Sequence, residues 1–136
     1  MASSITRRQA LVAATALAVV PSAASAANRY SVISISNETR VDIGLSWRWS
    51  DPGWKRLQLA PGANHWWSHK YARPNENQSP DFELKFDSDG RTGSTYNETK
   101  ILRGHAAPEQ NFDLGHKYVF RYDGPSKRYI KLMDIG

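Results

Sequence analysis

His65 and His69 stand four residues apart, and His105 and His116 follow later in the chain. Imidazole is a common metal ligand. On a helix, a spacing of four would bring both rings to one ion. On a strand, the same spacing sets them about 13 Å apart. One ion with ligand bonds of about 2 Å cannot be held by both. The Pro61-Gly62 start and the aromatic content of this segment favour a strand. A site built from His65 or His69 with His105 and His116 is therefore the second reading, and no metal or other cofactor is expected.

The stronger chemical signal is aromatic. All five tryptophans fall between residues 47 and 67. Trp47 and Trp49 alternate in step with Val41, Ile43 and Leu45, so they belong to a core face. Trp54 lies beside Arg56 and Gln58, which suggests a partly exposed ring. Trp66 and Trp67 are neighbours, so in a strand they point to opposite faces. A tight hairpin at Pro61-Gly62 would gather Trp54, Arg56, Gln58, His65, Trp67, His69 and Tyr71 on one surface. Flat rings stacking on sugar faces, with Arg and Gln bonding hydroxyls, would suit a glycan. Pro-Gly favours a type II turn, whereas tight hairpins prefer the primed types. If the loop crosses between sheets instead, Trp67 is core and Trp66 is the exposed ring. The candidate binding residues are Trp54, Arg56, Trp66, Trp67 and Tyr71.

Motifs of catalysis do not occur. There is no Gly-x-Ser-x-Gly elbow, His-Glu-x-x-His pair, Walker loop or Gly-x-Gly-x-x-Gly. No catalytic residue is assigned, and enzymatic activity is not indicated. Asp87-Ser88-Asp89-Gly90 resembles the opening of a calcium loop, but Arg91 takes the next ligand position and Thr92 replaces the expected Gly. A polar turn is the better reading. Asn37-Glu38-Thr39 and Asn97-Glu98-Thr99 match glycosylation sequons and are read as turn residues. The absence of cysteine excludes disulfides and thiolate chemistry.

These side chains need a scaffold, and the periodicity supplies one. Val41 to Trp49 alternates apolar and polar at every step. Shorter runs recur at Tyr30 to Ser36, Lys55 to Leu59, Phe82 to Phe86, Tyr118 to Tyr122 and Tyr129 to Met133. Turn residues separate them at Asn37 to Thr39, Ser50 to Gly53, Pro61-Gly62, Asp87 to Gly93 and Asp123 to Pro125. This pattern predicts an all-β fold, a small antiparallel β-sandwich (immunoglobulin-like or similar) of about seven or eight short strands. Arg73 to Pro80 and Arg103 to Gly115 read as irregular loops. A short helix between Thr99 and Phe112 fits the same sequence. The run Leu57 to Gly62 is similar to the Leu-x-Pro-Gly corner of immunoglobulin-like and fibronectin-like sandwiches, with His65 at the place of their aromatic and Trp66 next to it. That resemblance implies a sandwich and nothing about activity.

Residues 1–26 have the composition of a removable leader. They hold Arg7 and Arg8, no acid, an apolar run from Ala10 to Val20, and Ala24-Ser25-Ala26. Thr6-Arg7-Arg8-Gln9-Ala10-Leu11 is similar to the twin-arginine export motif, with Ala10 in place of the usual Phe and Val12 where Lys is common. Paired arginines also suit a general secretory leader. The twin-arginine resemblance implies a bacterial or archaeal source and export of a folded domain. The apolar run is shorter than a membrane span, which needs roughly 20 residues.

A single domain of residues 27–136 follows, with 16 basic and 13 acidic side chains and a net charge of +3. The charges are scattered, without the dense stripe of a nucleic-acid binder. The expected protein is an exported, periplasmic or extracellular, non-catalytic binding domain. Its partner would be a glycan or an envelope or secreted protein. A structural role in the envelope is a further alternative.

Overall fold

The structure, a computed structural model, describes residues 27–136. The leader and its twin-arginine similarity lie outside the described residues. Among the described residues, nine strands form two sheets. In chain order they are β1 (Tyr30–Asn37), β2 (Ile43–Trp49), β3 (Lys55–Leu59), β4 (Asn64–Lys70), β5 (Phe82–Asp87), β6 (Asn97–Leu102), β7 (His105–Ala107), β8 (His116–Tyr122) and β9 (Ile130–Asp134). Sheet I has the order β9-β8-β1-β4, with β7 also paired to β1; sheet II has the order β3-β2-β5-β6. All pairs are antiparallel except β1 with β8. The all-β sandwich expected from the alternating runs is the fold of the described residues.

The alternation works as period-two patterning should. Ile43 and Leu45 are buried, and Val41, Trp47 and Trp49 pack against the same core. Phe82, Leu84 and Phe86 of β5 turn inward beside them, and Ile33, Ile35, Trp67, Tyr118 and Phe120 answer from sheet I. Trp47 meets Trp67 edge-on at 5.9 Å across the sandwich. Each fully buried large side chain contributes about 1.5–3 kcal/mol.

The helix compatible with Thr99 to Phe112 does not form. That stretch contains β6 and β7, and only Phe112–Leu114 makes a single 3-10 turn. Both strands gain their stability from pairing: β6 with β5, and β7 with the first three residues of β1. Tertiary pairing outweighs a weak local preference here. These two strands also bring the count above the seven or eight that alternation alone suggests.

The loop from β7 to β8 lies on the outer face of β1. Ser34 Oγ donates to Phe112 O at 2.6 Å. Gly115 closes on the β1 backbone, where a Cβ would stand 3.0 Å from Ser34 N. Gly104 does the same at Val32, with a Cβ distance of 2.9 Å to backbone N and O. Strand β1 is therefore buried on both faces: Val32 and Ser34 are as inaccessible as Ile33 and Ile35.

Candidate functional site

The corner at Pro61-Gly62 decides where the aromatic residues go. Ala63 N–H donates to Ala60 O at 3.0 Å, and Gly62 has φ +76°. This is the type II turn that Pro-Gly favours. It carries the chain from β3 in sheet II to β4 in sheet I. The tight-hairpin register is thus replaced by the crossing between sheets.

The five candidate binding residues do not share a surface. Trp54 and Arg56 belong to the sheet II side. Trp66 is 37% exposed on sheet I, opposite Ser34 of β1. Trp67 and Tyr71 are buried core residues. Among the described residues, Trp67 Nε1 and the Tyr71 hydroxyl have no well-formed hydrogen bond, although Ser31 lies close to Tyr71. Both are withdrawn from any binding face.

The histidines also separate. His65 and His69 sit on β4, whereas His105 and His116 meet on the other side of β1, with ring centroids 4.4 Å apart. His116 Nε2 donates to Asp134 Oδ1 at 2.7 Å. Among the described residues, no group of three or more His, Cys, Asp or Glu side chains could hold a metal ion. The strand geometry of β4 is the reason His65 and His69 cannot act together. Asp87-Ser88-Asp89-Gly90 is likewise structural: an isolated bridge joins Asp89 to Tyr129, and the turn follows it. Asp87 Oδ1 accepts from Asp89 N at 3.0 Å and Tyr96 N at 2.8 Å. Asp89 is held by Arg128 through two bonds of 3.1 and 3.2 Å. That guanidinium, then the Arg91 backbone N–H, lowers the Asp89 pKa.

What the fold does build is a polar groove on the outer face of sheet II. Period-two alternation sends Gly44, Ser46 and Arg48 outward while Ile43, Leu45 and Trp47 go inward. The register sets Gln58 beside Gly44, and places Ser46 between Arg56 of β3 and Lys85 of β5. Asp87 lies opposite Asn97 on the next pair. Gly44 has no side chain, so the floor drops between its polar neighbours. The groove has a volume of about 540 Å³. It runs on past Asp42, Gly44 and Asp87 into a second depression of about 290 Å³ over the turn at Asp89 to Ser94.

Trp54 stands beyond Lys85, outside the residues that line the groove. The Arg48 guanidinium stands 4.3 Å from its ring centroid and the Lys85 ammonium 4.4 Å. Arg48 is also paired with Glu83 at 2.8 Å. The ring is half-buried, as its mixed neighbours suggested. Lys85, Ser46, Asp87 and Asn97 were not visible as site residues in the sequence. Their signal was only that they fall between core residues, on the face that alternation leaves outside.

Comparison with protein-family models, with curated proteins and with solved structures returns no match. No helix among the described residues is long and apolar enough to cross a membrane.

Proposed function

We propose that this protein is an exported, non-catalytic glycan-binding domain, and that the groove on sheet II receives the sugar. The observation that carries this reading is the groove itself: a polar trough on a sheet face, with amide, hydroxyl and charged side chains along its walls. Carbohydrates present many hydroxyls and few apolar faces. A wall of Gln58, Asn97, Ser46 and Arg56 offers donors and acceptors at fixed spacing. The sheet backbone keeps them in place without a ligand, which reduces the ordering cost of binding.

The test fills the trough without straining the fold. A Cβ at Gly44 would meet only Gln58 Oε1, at 3.6 Å, an ordinary contact. Gly44→Leu therefore raises the floor while leaving the strand intact. Affinity electrophoresis against a panel of soluble polysaccharides should show retardation of the wild type and its loss in Gly44→Leu. Melting temperatures should stay within about 3 °C, because surface changes shift stability by less than about 0.5 kcal/mol. Trp66→Ala, on the other sheet, should bind as the wild type does. Undiminished binding by Gly44→Leu, or no retardation in any gel, would reject the groove as a glycan site.

Export rests on the leader. N-terminal sequencing of protein recovered from the native envelope or medium should begin at Ala27. Arg7→Lys with Arg8→Lys should hold the precursor inside the cell if the twin-arginine route is used. Recovery of the intact Met1 chain would remove export from the proposal.

A further inference from the structure

We infer that the sugar is acidic: the groove is built for a polysaccharide that carries a carboxylate or sulfate, with the acid group seated over Ser46 between Arg56 and Lys85. This rests on the glycan reading and specifies its ligand class.

The argument begins with the register. Arg56 and Lys85 are the two cross-strand partners of Ser46, one on each side. Neighbouring strands lie about 4.8 Å apart, so the two cations spring from points about 10 Å apart with a hydroxyl on the midline. Both side chains are long enough to lean over the serine. An anion placed there gains two charge-assisted hydrogen bonds and one neutral bond.

The cations are available. Among the described residues, neither Arg56 nor Lys85 stands within ion-pair distance of a carboxylate, whereas the neighbouring Arg48 is paired with Glu83. Lys85 instead rests over the Trp54 ring, which positions its ammonium without neutralising it. Carboxylates also line the groove, starting with Asp87, two residues along β5 from Lys85 on the same face. Asp87 already accepts two backbone N–H bonds, and Asp42 lines the passage to the second depression. The trough is thus positive by Arg56 and Lys85 and negative by the turn. A neutral glycan would cover two cations and give them no counter-charge, which is a cost that an acidic sugar does not incur.

A peptide fits less well. Extended peptides dock by adding a strand to a sheet edge. This groove lies across a sheet face, whose backbone groups are already paired between β3, β2, β5 and β6.

The experiment is calorimetric titration of the purified protein with four polymers: polygalacturonate, dextran sulfate, neutral dextran and polyglutamate. At least one acidic polysaccharide should bind about tenfold or more tightly than neutral dextran, the gain expected from one desolvated charge-assisted contact. Its affinity should fall with added salt. Arg56→Gln and Lys85→Gln should each weaken that binding about tenfold, with Arg56→Lys retaining most of it. Lys131→Gln, on sheet I, should change nothing.

Whichever of polygalacturonate or dextran sulfate binds more tightly names the group, and either result upholds the inference. Equal binding of neutral dextran, insensitive to Arg56→Gln, would overturn the acidic class and leave the glycan reading standing. Polyglutamate binding as tightly as the acidic sugars would mean that charge alone is recognised, and would overturn the sugar. No heat with any of the four would overturn both.

Discussion

Asn37 shows how one side chain can fix a corner of this fold. Its amide nitrogen donates to Val41 O and Leu59 O, both at 2.9 Å. Its oxygen accepts from Thr39 N at 2.9 Å and Thr39 Oγ1 at 2.7 Å. The carboxamide therefore joins the end of β1 in sheet I to the segment just before β2 and to the end of β3, both in sheet II. It is almost wholly buried, so the sequon at Asn37-Glu38-Thr39 is a structural motif and its asparagine is inaccessible. Replacing Asn37 by Ala would take this partner from Leu59 O and Thr39 N, while Val41 O keeps the Thr39 hydroxyl at 3.2 Å. Each group that loses its partner costs about 1–3 kcal/mol. Asn37→Ala should lower stability by about 2–4 kcal/mol, read as a loss of roughly 10 °C in the thermal midpoint. A midpoint within 2 °C of the wild type would show that water or a shifted loop replaces the carboxamide.

At the scale of elements, the loop between β7 and β8 owes its seat to Gly115, as the link from β6 to β7 does to Gly104. Gly115 has an ordinary extended backbone, so its requirement is one of space. A Cβ there would press on Ser34 and on Ile33 C at 3.1 Å. Gly115→Ala should cost about 1–3 kcal/mol through overpacking. It should also loosen the 3-10 turn, which hydrogen exchange at Leu114 N–H would report as faster exchange. Unchanged stability would mean that the loop can lift from β1 freely.

The same contrast explains what the sequence could disclose. Strands that bury one face, such as Val41 to Trp49 and Phe82 to Asp87, announce themselves by alternation. Strand β6 has only Leu102 fully buried, and β7 has three residues, so neither carries a period long enough to read. The candidate site was legible only in part, at Arg56 and Gln58. Lys85 reaches them through pairing of β2 with β5, a contact between residues nearly 40 positions apart in the chain. Local sequence can say that Lys85 faces outward; it cannot say which strand will lie beside it. The misplacement of Trp67 and Tyr71 had a similar origin, in the sheet crossing at Pro61-Gly62.

The whole molecule is one sandwich with a shared core and no disulfide, so its stability should respond as a unit to acid. Four groups set the direction. Burial lowers His65 from its usual 6.5. The bond from Arg128 holds the Asp89 carboxyl below its usual 3.8. The bond from His116, then the Gly136 N–H, does the same for Asp134. His105 is exposed overall, yet its ring faces His116. Loss of water on that side, then the charges of His116 and Lys117, lower it from 6.5.

A carboxylate whose pKa falls on folding binds fewer protons in the folded chain than in the unfolded one. Its stabilisation is complete above the unfolded value and is lost as pH falls through the folded value. The histidines obey the same sign. They prefer to be neutral in the fold, so stability is full above about 6.5 and erodes as protons bind the unfolded chain below that. None of the four shifts opposes the others. The thermal midpoint should therefore fall in two stages on acidification, first from about pH 7 to 5 and again below about pH 4. His65→Gln with His105→Gln should flatten the first stage, and Asp89→Asn should blunt the second after an initial loss at neutral pH. Near-ultraviolet dichroism follows the Trp47–Trp67 contact between the sheets, and far-ultraviolet dichroism follows the strands. Their midpoints should move together at every pH. Separate midpoints would show that one sheet yields to acid before the other, and a flat profile from pH 7 to 5 in the wild type would remove His65 and His105 as its cause.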